Sequence, residues 1–358
     1  MLHIRIRPQW QLGPGGPDEE TRAVDSSALL ALLTAVQETG SLAQAARSLG
    51  SSYRHAWGQV QRAQSAFGQP LIEGGRGRNS SLTPLAQKLI WADKRVAARL
   101  SPLLDSLASE LEGELARDSS RLQALRLYAS HGFAVAALVE RLEALALPVE
   151  VRYRNSLESV AALSRGECDL AGFHVPIGEF ADAAAQRYRP LLNAKAHRLV
   201  HLAVRRQGLI VAMGNPKRIS GLADLGRPEV RFVNRPQGSG TRALTELLLH
   251  KAGLEPRRLN GWDDTEITHS AVAAFIASGM ADAGIGVQTA AQRFGLPFIP
   301  LLRERYYFAV PAVALNEEPV ASALRIIGAP ALRSRIAALV GYEAGETGKL
   351  LTLGEAFD

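Results

Sequence analysis

The sequence predicts an α/β protein in two parts, a helical N-terminal domain carrying a β-hairpin and a larger two-lobed α/β domain. Three observations predict it. Apolar residues recur at helical spacing from residue 26 to about 115. From residue 121 onward, short apolar strands alternate with helical stretches, the pattern of mostly parallel sheets. The length, 358 residues, suits two domains better than one. The expected boundaries are a first domain at 1–85, a long helix at 86–120 and the α/β domain at 121–358.

Residues 2–7 alternate, Leu2, Ile4 and Ile6 against His3, Arg5 and Arg7, and predict a short half-buried strand. GPGGP at 13–17 breaks the chain. Asp25, Ser26 and Ser27 offer N-caps to a helix carrying Leu29, Leu30, Leu32, Leu33 and Val36, and Gly40 ends it. Ser41 caps a second, short helix whose Ala45-Ala46 pair permits close packing, and Gly50 turns the chain. A third helix places Tyr53, Ala56, Trp57, Val60 and Ala63 on a stripe expected to be buried. Its opposite face holds Ser52, Arg54, His55, Gln59 and Arg62. Two short helices about a Gly turn, the second polar and basic outside, make a helix-turn-helix.

Leu71-Ile72 then runs into a Gly/Arg tip and returns through Ser81-Leu82-Thr83, a β-hairpin wing. Arg76 and Arg78 at its tip suit phosphate or minor-groove contact. Thr83-Pro84 starts a long helix, with Pro102 as a kink. Its apolar stripe is Leu85, Leu89, Val96, Leu100, Leu103, Leu104, Leu107, Leu111 and Leu115. That stripe must be covered, either by the same helix of a second subunit in a two-fold dimer or by the second domain.

The charge pattern agrees with a winged helix-turn-helix that meets DNA. The chain carries a net +6, but residues 47–99 alone hold nine basic residues and two acidic ones, leaving the remainder close to neutral. Taken by itself such a run is a solvated basic face or a nucleic-acid footprint. The helix pair beneath it favours the footprint.

In the C-terminal part, strands are expected at 125–129, 149–153, 168–173, 199–204, 209–213, 230–233, 282–285, 298–302 and 306–312. The informative loop is Asn234–Arg242. A strand ends there, Gly238 and Gly240 let the backbone approach a ligand, and a helix begins at Ser239-Gly240-Thr241. Free N–H groups, the helix dipole, two hydroxyls and Arg235 converge, which makes an anion site. The plain alternative is a helix N-cap beside a turn. Ser130, His131, His174, Thr268 and His269 lie where the same crevice should be, and Tyr306 either faces it or sits in a strand. Each alone reads first as a cap or a partly buried core residue; together they describe a cleft.

Two resemblances rest on these residues. The segment from Glu38 to Ile90, with Ser52-Tyr53-Arg54-His55-Ala56-Trp57 and a Gly/Arg wing leading into Leu82-Thr83-Pro84, resembles the winged helix-turn-helix of ModE-type molybdate-responsive regulators. LysR-type regulators are similar in arrangement. This implies operator binding as a dimer. Nothing after residue 120 resembles the small oxyanion-binding β-barrel modules that usually follow in ModE-type proteins. Residues of about 122–345 instead resemble a type II periplasmic-binding-protein-like sensor domain. The spacing of Arg235 to Ser239-Gly240-Thr241 is similar to R-G-D-x-S-G-T of tungstate-binding proteins, with Pro236-Gln237 in place of Gly-Asp. Together they imply a small oxyanion effector, molybdate or tungstate, with formate or sulfate as the alternative.

Several classes are excluded. One cysteine, Cys168, rules out a disulfide framework and a multi-Cys metal site. His197 and His201 form a close pair without the further ligands of a zinc site. No GxSxG and no paired carboxylates in the cleft mark an enzyme. The absence of a long apolar run and of a secretory signal points to a soluble, cytoplasmic chain with no membrane partner.

Overall fold

The computed structural model describes residues 4–12, 24–74, 80–117 and 124–357. It divides into two compact units, residues 7–97 and residues 98 onward together with the first six.

In the smaller unit β1 (Gln11–Leu12) pairs antiparallel with β2 (Val24–Asp25). Helices α1 (Ser26–Thr39), α2 (Leu42–Ser48) and α3 (Tyr53–Phe67) follow. Ser41 caps α2, accepting from the Gln44 N–H. Gly50 takes a φ of +66° at the turn between α2 and α3, a conformation that favours glycine. Strands β3 (Ile72–Glu73) and β4 (Ser81–Leu82) pair as the wing. Gln64 holds the wing to α3 by accepting from the Leu71 and Ile72 N–H groups at 3.0 and 3.4 Å. The core is Leu29, Leu33, Val36, Ala45, Ala56, Val60, Leu71 and Ile90, among others.

The sequence is corrected here in two places. Residues 4–10 form no strand. Ile4 and Ile6 are half-buried and Arg5 and Arg7 exposed, as the alternation implies. With no ladder partner, however, the segment lies along the long helix, the Ile4 N–H donating to the Glu112 carboxylate. Second, Tyr53 and Trp57 are not in the core: they are 47% and 42% exposed and stack on each other at 6.4 Å. Ala56, Val60 and Ala63 fill the narrow space under α3, and the large rings lie to one side of it.

Helix α4 runs from Pro84 to Arg117 with Pro102 inside it. Its apolar residues do not form one buried stripe. Leu85 and Leu89 pack on the core of the smaller unit, whereas Leu100, Leu103, Leu107, Leu111 and Leu115 are 37–56% exposed. The second half of α4 does pack within its own chain, but through a serine face. Ser109 Oγ accepts from the Val151 N–H at 2.8 Å and donates to Val149 O, and Ser106 Oγ accepts from the Tyr153 N–H. These hydroxyls satisfy the open edge of the sheet.

The larger unit begins with β5 (Leu125–Ala129), α5 (Phe133–Ala144), β6 (Val149–Tyr153), α6 (Ser156–Ser164), β7 (Leu170–Pro176) and α7 (Ala181–Ala185). Strand β8 (His197–Val211) leads to β9 (Phe232–Val233), α8 (Gly240–Lys251), α9 (His269–Ala277), β10 (Ala283–Val287) and α10 (Gln288–Arg293). Strand β11 (Phe298–Pro311) returns the chain to α11 (Val320–Gly328), α12 (Pro330–Ala337), β12 (Tyr342–Glu343), β13 (Leu350–Leu351) and α13 (Leu353–Phe357). The sheet order is β6-β5-β7-β11-β8-β10-β9, with β12 and β13 also on β8.

The sheet is mixed rather than mostly parallel. β5, β6 and β7 are parallel, as are β9 and β10, but β8 and β11 run antiparallel to each other along their whole length. Each of these two replaces a pair of expected short strands and crosses from one lobe to the other. Lobe I holds β5–β7; lobe II holds β9 and β10. Apolar cores cover both faces of the sheet in each lobe.

Candidate functional site

The exposed face of α3 carries Arg54, His55 and Arg62, with Gln59 half-buried at its margin. Ser52 is exposed, but its hydroxyl accepts from the His55 N–H at 3.2 Å and so serves as the N-cap. Arg76 and Arg78 lie outside the described residues. Tyr53 and Trp57 extend the same helix surface beside Arg54.

The larger unit holds a cavity of about 250 Å³ between its lobes. Residues from the N-termini of four helices line it: Ser130 and His131 before α5, Asn155 and Ser156 at α6, Ser239, Gly240 and Thr241 at α8, and His269 at α9. The first turn of a helix has N–H groups without intrahelical partners and the positive end of the dipole, so all four favour an anion. The volume is that of about eight water molecules, below the ~300–1,000 Å³ of drug-sized clefts. The lobes stand close: a Cβ at Gly238 would lie 3.3 Å from Asn155 Nδ2.

Three arginines line this cavity, Arg154 at its exposed margin and Arg205 and Arg235 further in. Arg205 stands where β8 crosses between lobes and pairs with Glu304, opposite it on β11, at 2.9–3.0 Å. Burial opposes its charge, but Glu304 and Tyr342 more than offset that. Gln207 donates to Glu304 at 2.6 Å and to Thr241 Oγ1 at 3.3 Å. Arg235 has no such anion. Its Nη2 donates to Ile267 O at 2.6 Å, while its Nε is buried without a partner among the described residues. Burial, with the nearby Arg205 charge, pulls its pKa down to about 9.

Three imidazoles complete the lining. His174 Nδ1 is 3.4 Å from Ser156 Oγ, and His174 Nε2 and His269 Nδ1 are buried without partners among the described residues. Burial first, then the arginine charges, hold His131 at about 4 and His174 and His269 well below the ordinary value. The cavity therefore offers neutral donors and, in Arg235, a cation whose buried Nε lacks a partner among the described residues, an arrangement for a small anion.

The histidines carry a pH prediction. Below about pH 6.5 the unfolded chain takes up protons that the folded chain refuses. Stability should then fall as pH drops from ~6.5 toward ~4, by about 1.4 kcal/mol per pH unit for each histidine. Urea denaturation at pH 7 and pH 5 measures this; equal stability at both would mean that the imidazoles are solvated or charged in the fold.

Of the expected ligand residues, Ser130, His131, His174, Arg235, Ser239, Gly240 and Thr241 line the cavity. Thr268 and Tyr306 do not. Thr268 caps α9 and donates to Ala98 O. Tyr306 packs edge-on against His174 at 4.4 Å and supports it from behind; any side chain at Gly172 would collide with its hydroxyl. Arg205, Gln207, Glu304, Asn155 and Ser156 escaped the sequence reading. The trace of Arg205, Gln207 and Glu304 there is polar residues interrupting apolar runs at 205–207 and 303–305. His201, the inner member of the His197/His201 pair, is buried against Tyr307 instead. No group of three or more metal-ligating side chains exists among the described residues.

A helix-turn-helix unit joined to a two-lobed binding domain defines the class of protein. Residues 136–328, more than half of the chain, match the PBP superfamily domain, and the chain belongs to that superfamily. Residues 28–87 match the bacterial regulatory helix-turn-helix protein, lysR family. The chain is 34% identical over 200 residues to the uncharacterized protein YvgK of Bacillus subtilis (strain 168), covering 56% of this chain and 64% of that protein. It is 37% identical over 97 residues to the molybdenum-pterin-binding protein MopB of Rhodobacter capsulatus, covering 26% of this chain and 36% of that one. It thus spans less than two thirds of either relative. Among solved structures, an H2O2-bound OxyR mutant of Corynebacterium glutamicum aligns at 13% identity and a TM-score of 0.44 over 88% of this chain and 94% of that one.

Proposed function

We propose that this protein is a one-component transcription regulator of the ModE-like kind that binds operator DNA as a dimer and senses a small oxyanion in its interlobe cavity. The observation that carries the reading is the cavity: four helix N-termini, the unpaired Arg235 and three neutral imidazoles around a space of about 250 Å³. Such donors hydrogen-bond a tetrahedral dianion without needing its protons. Molybdate or tungstate is the first candidate, supported by the Arg235, Ser239 and Thr241 spacing and by the name of the MopB relative. The exposed leucines of α4 supply a row for a second copy of the helix. No helix among the described residues is long and apolar enough to cross a membrane, and the reading places the regulator with DNA in the cytoplasm.

Two measurements test it. Micromolar molybdate or tungstate should raise the melting temperature; a response only to millimolar formate or sulfate would replace the metal oxyanion with another small anion. Arg54→Ala and Arg62→Ala should each weaken binding to the DNA upstream of the gene and lower the salt slope by about one. Unchanged binding in both would remove α3 as the reading helix.

A further inference from the structure

Pro102 interrupts α4 at a consequential place. A proline has no N–H to donate, so the carbonyl four residues earlier, that of Ala98, loses its helical partner. That carbonyl instead accepts from the Thr268 hydroxyl of lobe II at 3.0 Å, and the same hydroxyl caps α9 by accepting from the Ala271 N–H. One residue on, Arg99 pairs at 3.1 Å with Glu266, whose side chain is almost wholly buried. The Pro102 ring itself lines the cavity. The next turn faces lobe I: Ser101 Oγ lies 3.5 Å from His131 Nε2 and Asp105 3.9 Å from it, and Ser106 accepts from the Tyr153 N–H. Residues 98–106 therefore bridge both lobes across one wall of the cavity.

We propose that this segment of α4 is part of the ligand site, with Arg99 and Pro102 as positioning residues that let α4 register whether the lobes are closed on an anion. The inference rests on the anion reading above. Closed lobes satisfy the Thr268–Ala98 and Arg99–Glu266 contacts together with those to His131 and Tyr153. Separated lobes keep only one set, and the Ala98 carbonyl then loses the Thr268 hydroxyl that replaces its helical donor. Anion affinity and the position of α4 are then linked, and the linkage is reciprocal. The same helix is covalently continuous into the smaller unit, where Ala86 and Ile90 complete the core.

The test uses the full chain, sodium molybdate and sodium sulfate as probes, and hydrogen exchange of residues 98–106 beside the thermal shift. Pro102→Ala returns the helical donor to Ala98 and favours the helix; Arg99→Ala removes the other hook. In the parent protein the anion should slow exchange in 98–106 at least tenfold and change affinity for the upstream DNA at least fivefold. In both variants it should raise the melting temperature by less than in the parent, as the reciprocal linkage requires, and the change in DNA affinity should shrink below twofold. A thermal shift without protection of 98–106, or variants that keep the full DNA response, overturns the role of α4 and leaves the anion reading standing. No thermal shift of the parent protein with either probe overturns the anion reading, and this inference with it.

Discussion

Arg235→Gln should abolish stabilisation by added oxyanion and, at the same time, raise the melting temperature of the anion-free protein. Both follow from one charge. Arg235 Nε is buried with no partner among the described residues, and Glu304, whose charge favours its cation, already faces Arg205 and Gln207. Burial and the Arg205 charge penalise its cationic form. An anion between the lobes relieves that penalty; an amide never incurs it. Loss of a charged hydrogen-bond donor weakens anion binding by about 10- to 100-fold. The apo gain, a few degrees, is on the order of that seen when a poorly compensated buried charge is removed. Differential scanning fluorimetry with and without molybdate reads both. A variant less stable than the parent in the absence of anion would mean that the bond to Ile267 O outweighs the burial cost.

Glu304→Ala should have the opposite sign in the apo state and an unusual rescue. The side chain of Glu304 is 3% exposed and binds Arg205, itself 4% exposed, and Gln207. Its removal leaves Arg205 buried beside Arg235 without a carboxylate, with the Tyr342 contact remaining. Breaking a buried pair in this way costs about 3–5 kcal/mol, roughly 10 °C for a unit of this size. An oxyanion then neutralises two cations without a carboxylate instead of one, so the anion-induced shift should be larger in the variant than in the parent protein. Calorimetry across an anion titration decides it. A shift equal to or smaller than that of the parent would show that the ligand does not approach Arg205.

Much of the architecture was legible along the chain because its signals are local. Ser41, Ser239 and Thr268 cap the helices they precede, and a cap is decided within four residues. The strand-to-helix loop at 234–242, with Ser239 as its cap, was legible for the same reason. Burial of Tyr53 and Trp57 was not: helical spacing names a face, but how wide a face the neighbours cover depends on α1, α2 and the wing. Thr268 was legible as a cap, but its bond to Ala98, 170 positions away and outside the cavity lining, was not. The leucines of α4 form one row on paper; Ser106 and Ser109 turn the opposite side of that helix to the sheet edge and leave the row outward.

Short-range periodicity and capping carry the two-part plan, the helices of the helix-turn-helix, the wing and the loop around Arg235. The inside of the cleft depends instead on pairing between distant segments. Arg205-Arg206-Gln207 and Arg303-Glu304-Arg305 read as polar breaks that cut two long strands into four short ones. Folded, β8 and β11 run side by side through both lobes and set Arg205 directly opposite Glu304. A buried charge is tolerable only when its partner is brought within hydrogen-bond distance. Here that partner lies 99 residues along the chain, a pairing that strand register supplies and local sequence cannot.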